Sequence, residues 1–288
     1  MSVDLATHAA ANVSAHGAAA DAVVGQYPNA RDFRLAAAVA PMSTNVSADK
    51  MVAYASAGMW LSTFEFVTSQ QSDDPSKVDA AYLDAQNRAG PNVISLNWGD
   101  RREAFESEID ARRTARYAAL NLGNAGISNY GLFCLVAEPS EVDGLFVVPA
   151  NSLDQYVTSP TAPKVDVDRL TVEVATWRSR GDVATIKHGP KIDSEPTSWP
   201  DLICDSTAEP PVFIEVIVVP PTGESVPMSW FSETRLPAED LDRITMNLAR
   251  RSHAIRSGAV LRLDPVEQVE LEAFQWIVGM DVTLRGVS

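Results

Sequence analysis

Apolar residues in the first 125 positions recur at the three- and four-residue spacing of α-helices. The alanine-rich stretch 3–24 has high helix propensity, and a second helical stretch over 30–40 stops at Pro41. Ser47 is a good N-cap residue and precedes an apolar-faced stretch, 48–70, that we predict as one central helix. The pattern therefore predicts a helical N-terminal part.

A capping-box pattern indicates another helix in this part. Asp100 is followed three residues later by Glu103, and the helical pattern continues to about Gly123. A shorter helix is predicted over 76–88. Residues 2–24 carry alanines that bury little apolar area, so we expect this segment to be an arm that packs on a neighbouring subunit.

After residue 126 the pattern changes to the apolar runs and alternation of β-strands. The first two runs, 130–138 and 144–150, are predicted to form a strand pair. Further strands are predicted over 170–177, 182–187, 212–219, 226–231 and 259–263.

Two helices interrupt this β-rich part. One is predicted over 238–257, and the next begins with Asp264 as N-cap, Pro265 in the first turn and Glu267 as the capping-box partner. The expected fold class is α+β, with a helical region over 1–125 and an α+β region over 126–288.

Composition and charge narrow the function classes. The chain has 288 residues, a net charge of −15 and 45% hydrophobic residues, as an ordinary globular protein does. Its negative charge repels phosphate backbones and anionic lipids at long range, so any RNA contact must be local. We find neither a signal-peptide pattern nor an apolar run of membrane-spanning length, which predicts a cytoplasmic protein with no membrane partner. A chain of this size needs no cofactor to fold, and we expect none.

Chemistry-bearing residues form one incomplete catalytic pattern. Asp201 precedes a strand that carries Glu215, which resembles the paired carboxylates of PD-(D/E)xK nucleases over some twenty residues. That chemistry needs a metal and a lysine two positions after the glutamate, where this chain has Ile217. Lys187 or Lys191 would have to replace it. The pattern leaves a nuclease or other hydrolase open as an alternative, and no histidine has a second ligand at metal spacing.

Arginine, rather than lysine, supplies most of the positive charge. Two groups of arginines are candidate nucleic-acid contacts. In the first group, ion pairs of Arg112 with Glu108 and of Arg113 with Asp110 within one helix would neutralise the charge that a phosphate would need. Cations near the end of a helix also complement its dipole, which explains the second without a ligand. The first group is Arg101, Arg102, Arg112, Arg113 and Arg116; the second is Arg250 and Arg251.

Six tryptophans and two cysteines are the remaining residues that could have a functional role. Cys134 and Cys204 lie in apolar runs without the spacing of a metal or redox pair, which predicts buried free thiols. Tryptophans near loops and strand ends are candidate interface anchors as well as core residues. The six are Trp60, Trp98, Trp177, Trp199, Trp230 and Trp276.

The chain is rich in alanine and serine, contains 18 prolines and has an alanine-rich opening segment. In these respects it resembles the proline-alanine-serine-rich proteins that coat the double-stranded RNA genomes of fungal polymycoviruses. The resemblance implies a self-assembling coat or nucleoprotein-like subunit that packages RNA in a virion. We take self-assembly as the leading hypothesis, with the metal-dependent hydrolase and a bacterial interaction or immunity-type module as alternatives.

Overall fold

A computed structural model describes residues 2–70, 78, 98–139, 143–158, 162–192, 195–257, 261–280 and 282–287. It confirms the α+β fold class. The described helices are α1 (Leu5–Val24), α2 (Ala30–Ala38), α3 (Ala48–Ala57), α4 (Thr63–Gln70), α5 (Trp98–Glu108), α6 (Ser152–Tyr156), α7 (Val167–Glu173), α8 (Arg180–His188), α9 (Trp199–Ile203), α10 (Ala238–Ser257) and α11 (Pro265–Gly279).

The strands form one large sheet and three small two-stranded pairs. They are β1 (Met42–Val46), β2 (Met59–Trp60), β3 (Arg116–Leu120), β4 (Phe133–Ala137), β5 (Leu145–Val148), β6 (Val157–Thr158), β7 (Lys164–Val165), β8 (Ala175–Thr176), β9 (Cys204–Asp205), β10 (Val212–Phe213), β11 (Glu215–Val218), β12 (Val226–Pro227), β13 (Phe231–Pro237) and β14 (Thr283–Val287).

The large sheet has the order β14-β13-β4-β1-β3-β11-β5-β8. Its pairings are antiparallel except that β13 and β14 run parallel. Two of its central strands, β1 and β3, come from the first 125 residues and pair with each other and with strands of the second half. The sheet therefore joins both parts of the chain, with β8 and β14 at opposite edges.

Helices cover both faces of this sheet. Because side chains alternate along a strand, Val216 and Val218 of β11 enter one core and Ile217 enters another. The first core also contains residues of α2, α3, α8, α9 and α11, whereas the second is built with α1, α5, α6 and α7. Helices α1 and α8 contact β8, while α10 contacts β14, so different helices flank the two edges.

The N-terminal segment packs on its own chain, so the prediction that it adds little to that chain's core is wrong. Leu5 and Ala9 of α1 are buried in the second core. The backbone N–H of Val3 donates to the carbonyl of Glu108 at 2.6 Å, and the Asn12 amide donates to two carbonyls of α7 and its C-terminus. Small alanines let α1 approach α8 closely, which compensates for the small area of each side chain.

Two predicted helices are shorter than expected because the backbone turns inside them. The predicted helix over 48–70 ends at Gly58, which has a left-handed φ of +67° that glycine adopts without strain, and a short strand separates α3 from α4. The helix that starts near Asp100 ends at Glu108 rather than near Gly123. Positive φ values at Asp110 and Arg113 redirect the chain into β3.

Two strand predictions are corrected by the structure. Residues 170–173 lie in α7, whose N-cap Asp166 accepts a hydrogen bond from the Arg169 N–H, and of that predicted strand only Ala175–Thr176 form a strand, β8. Residues 182–187 lie in α8. Short apolar runs do not distinguish a strand from a buried helix by periodicity, and packing of α8 against α1 and α2 decides the outcome here. The predicted pairing of 130–138 with 144–150 is also wrong, since β1, β3 and β11 lie between β4 and β5.

Several local predictions are confirmed. Strands β4, β5 and β11 and helix α10 occupy the predicted stretches, and α11 begins with the complete capping box of Asp264 and Glu267 after which Pro265 opens the helix. The predicted helix over 76–88 lies outside the described residues, apart from position 78. Of the predicted strand 259–263, the described residues 261–263 are not in a strand.

Candidate functional site

The residues of the nuclease-like pattern are not brought together. Asp201 is exposed on α9, whose Ile203 packs into the first core, whereas Glu215 is only 5% exposed and shares a sheet face with the second core. Lys191 is exposed. Within the described ranges, no group of three or more His, Cys, Asp or Glu side chains is placed to hold a metal ion. This arrangement does not provide the two-carboxylate metal centre of a nuclease.

Glu215 instead connects the sheet to α6. Its carboxylate accepts a hydrogen bond from the backbone N–H of Ser152 at 2.8 Å. Burial raises the pKa of Glu215 to about 7, against the opposing effects of the hydrogen bonds from Ser152 and the charge of Arg102. The carboxyl is therefore a buried structural group that titrates near neutral pH.

A second buried carboxyl, Glu106 on α5, has similar properties. It accepts the Arg113 backbone N–H at 2.6 Å and the Tyr117 hydroxyl at 3.2 Å. Burial raises its pKa to about 7, and the charge of Arg102 acts in the opposite direction. Glu106 thereby supports the turn between α5 and β3.

The arginines predicted to form a phosphate-facing strip have protein partners. Arg116 is buried and donates to the carbonyls of Trp60 at 2.5 Å and Thr114 at 2.7 Å, and it forms an ion pair with Glu65 at 2.7 Å. Its guanidinium fixes β3 to β2 and α4. Such a group is not available to a phosphate.

Arg101 is also committed to the fold. It is 7% exposed and donates to the carbonyl of Leu153 and, at 2.9 Å, to that of Val157, with Asp154 3.5 Å away. These contacts hold α5 against α6. Planar guanidinium groups suit such multiple backbone contacts.

The other members of the group contact neighbours in the same region. Arg112 pairs with Glu103, and Arg113 lies 3.7 Å from the same carboxylate, so the predicted partners Glu108 and Asp110 are not those observed. The guanidinium of Arg102 lies 4.6 Å from the ring centroid of Tyr117. The predicted strip is therefore part of an intramolecular polar network.

The second arginine group is placed differently. Arg250 and Arg251 are exposed in the later turns of α10, as are His253 and Arg256. In the described part of the chain neither Arg250 nor Arg251 has an ion pair. Arg112 of the first group is exposed as well but pairs with Glu103, whereas the described residues give Arg250 and Arg251 no such pair.

Two cysteines, a histidine and a lysine are also buried or partly buried. Cys134 and Cys204 are buried free thiols, as the sequence predicts, and burial raises the pKa of Cys134 to about 11. Burial lowers the pKa of His188 to about 3, so its imidazole stays neutral. Lys187 donates to the carbonyl of Phe213 at 2.8 Å, and burial lowers its pKa to about 8.

Two surface features are the remaining candidate functional sites. The first is the α2 groove, a depression of about 320 Å³ beside α2. Arg34 in this groove binds Asp21 and Asp182, each at 2.6 Å. Next to it Leu35 is 59% exposed, and Val39 at the end of α2 is 74% exposed. The groove residues used below are Asp21, Arg31, Arg34, Leu35, Arg178 and Asp182.

The second feature is the α11 face, formed by Gln268, Glu272 and Trp276. These residues are four positions apart and exposed, so they share one side of the helix. Trp276 is 41% exposed, and the other tryptophans whose side chains are described are buried or partly buried. The helix contains three glutamates and no basic residue.

Sequence reasoning singled out Trp276 but missed the α2 groove. The four-residue spacing of Arg31 and Leu35 was visible, yet it does not reveal whether a helix face is covered. The described helices include none that is long and apolar enough to cross a membrane. Neither a protein-family model nor a curated protein sequence matches this chain.

Proposed function

We propose that this chain is a structural subunit that assembles with copies of itself. The observation that supports the proposal is the exposure of large apolar side chains near both edges of the sheet. Leu35 and Val39 are exposed on the β8 side, and Ile255, Trp276 and Val278 are exposed on the two helices of the β14 side. Exposed apolar side chains that cluster at defined surfaces are typical of protein interaction sites.

The absence of an assembled catalytic centre among the described residues makes the structural reading preferable to the hydrolase alternative. The carboxyl groups with raised pKa values, Glu106 and Glu215, are already engaged by backbone and side-chain donors within the fold. Their role is consistent with holding helices on the sheet.

Electron microscopy of the purified chain tests self-assembly. We expect particles or filaments of regular dimensions, far larger than a 31.1 kDa monomer. A field of isolated small particles at every salt concentration tested would contradict the proposal.

The proposal extends to RNA packaging, as in a coat or nucleoprotein-like subunit, through the exposed arginines of α10. Because the chain as a whole is acidic, RNA contact would depend on a local cluster such as Arg250, Arg251 and Arg256. We expect Arg250→Ser with Arg251→Ser to weaken RNA binding in a filter assay and to reduce its salt dependence. RNA binding that is equal in the variant and the unmodified chain would exclude this surface, and no binding by either would exclude RNA packaging.

A further inference from the structure

The α2 groove and the α11 face have complementary charge. The groove contains three arginines and two aspartates, a net charge of +1 in a chain of net charge −15. Arg34 pairs with both aspartates, Asp21 and Asp182. Among the residues that the structure describes, Arg31 and Arg178 have no ion-pair partner. On α11, Glu267 is engaged in the capping box and Glu270 pairs with Arg243, which leaves Glu272 without a described partner.

The two surfaces also match in shape and spacing. Arg31 and Leu35 are four residues apart on α2, and Glu272 and Trp276 are four residues apart on α11, about 6 Å along each helix axis. With the helices aligned, Arg31 can face Glu272 while Leu35 contacts Trp276. The groove of about 320 Å³ provides room for an aromatic side chain.

The fold separates the two surfaces within one chain. Arg178 of the groove follows β8 directly, whereas α11 is joined to β14 by a short connection. These strands are the opposite edges of the eight-stranded sheet. Leu35 of the groove and Trp276 of the α11 face are both exposed within one chain, so the α11 face does not cover the groove of its own chain and contact between the two needs a second copy.

We propose that copies of this chain associate head to tail, with the α11 face of one copy seated in the α2 groove of the next. This inference rests on the proposed function and specifies its interface. Glu272 pairs with Arg31 and Arg178, and Trp276 packs on Leu35. A head-to-tail contact leaves one surface free at each end of an oligomer, so it generates a ring or a filament rather than a closed dimer.

Complementary variants test the direction of this contact. The groove variant, Arg31→Ser with Arg178→Ser, keeps its α11 face, and the face variant, Glu272→Arg with Trp276→Ser, keeps its groove. All four side chains are exposed, so the folds should be retained, which circular dichroism checks. Glu224→Arg is the matched control, because it makes the same charge change at an exposed residue outside both surfaces.

Light scattering after size exclusion measures the mass of each sample. We expect the unmodified chain and the control to assemble, each variant alone to remain a monomer of 31.1 kDa, and their equimolar mixture to stop at a dimer of twice that mass. Loss of a central tryptophan and its charge pair should weaken association by about 30-fold or more.

The outcomes separate the two proposals. If the unmodified chain is monomeric at all concentrations, the proposed function fails and the inference fails with it. If the unmodified chain assembles but either variant alone assembles equally well, or the mixture does not form the dimer, self-assembly stands and the head-to-tail interface is wrong. If a variant loses its circular dichroism signal, the single substitutions Arg178→Ser and Glu272→Arg provide the same comparison.

Discussion

Ionisation of Glu215 should make the fold less stable as pH rises. The side chain is 5% exposed and its carboxylate has the Ser152 N–H as a donor at 2.8 Å. Burial raises its pKa from the ordinary 4.5 to about 7, although hydrogen bonds from Ser152 and the charge of Arg102 counteract part of the effect. The folded chain therefore holds a proton that the unfolded chain has released.

The sign and size of the effect follow from this difference. Below about pH 4.5 both states are protonated and the stability contribution is present in full; it is lost as pH rises towards 7. A rise of the pKa from 4.5 to about 7 corresponds to roughly 3 kcal/mol of unfolding free energy by pH 8. Glu106, with a pKa also raised to about 7 by burial, adds an effect of the same sign.

Glu215→Gln keeps an oxygen acceptor for Ser152 and removes the ionisation. We expect the variant to be more stable than the unmodified chain at pH 8 by up to about 3 kcal/mol, with a much smaller difference at pH 5. Urea unfolding followed by circular dichroism at dilute protein concentration measures both values. Asp201→Asn, at an exposed carboxyl, is the control. A variant less stable than the unmodified chain at pH 8, or a difference in unfolding free energy between the two that is the same at pH 5 and pH 8, would refute the reasoning.

Three further changes test other parts of the fold. Arg116→Met should lower the unfolding free energy by about 3 kcal/mol or more in urea titrations, because it leaves Glu65 and two carbonyls without their buried donor. Asp264→Ala should cost about 1 kcal/mol by the same method, since it removes the N-cap of α11. Deleting residues 2–24 should lower the melting temperature by several degrees in thermal circular dichroism, and an unchanged value would restore the arm hypothesis.

Local signals in the sequence predicted local structure well. The capping box at Asp264 identified the start of α11, and the continuous apolar run around Val216 identified β11, because both depend on neighbouring residues. The short apolar pattern in 182–187 was misleading, since short buried helices and strands share it and contacts distant in sequence decide between them. The order of the sheet is likewise a long-range property.

The two candidate surfaces could likewise be predicted from the sequence only in part. Charge and spacing on α11 are visible in the sequence, but the exposure of Trp276 and Leu35 depends on which helices cover the sheet. Two members of the predicted arginine strip, Arg101 and Arg116, are buried for a related reason. Arg101 and Arg116 meet carbonyl groups of residues far away along the chain, and no helical spacing rule predicts such partners.

Sedimentation equilibrium of the unmodified chain over a wide concentration range tests self-association most directly. The head-to-tail interface predicts that the weight-average mass rises above 31.1 kDa and continues past the dimer as concentration increases, because each added copy presents a free surface. A mass that stays at 31.1 kDa throughout the range would contradict the account.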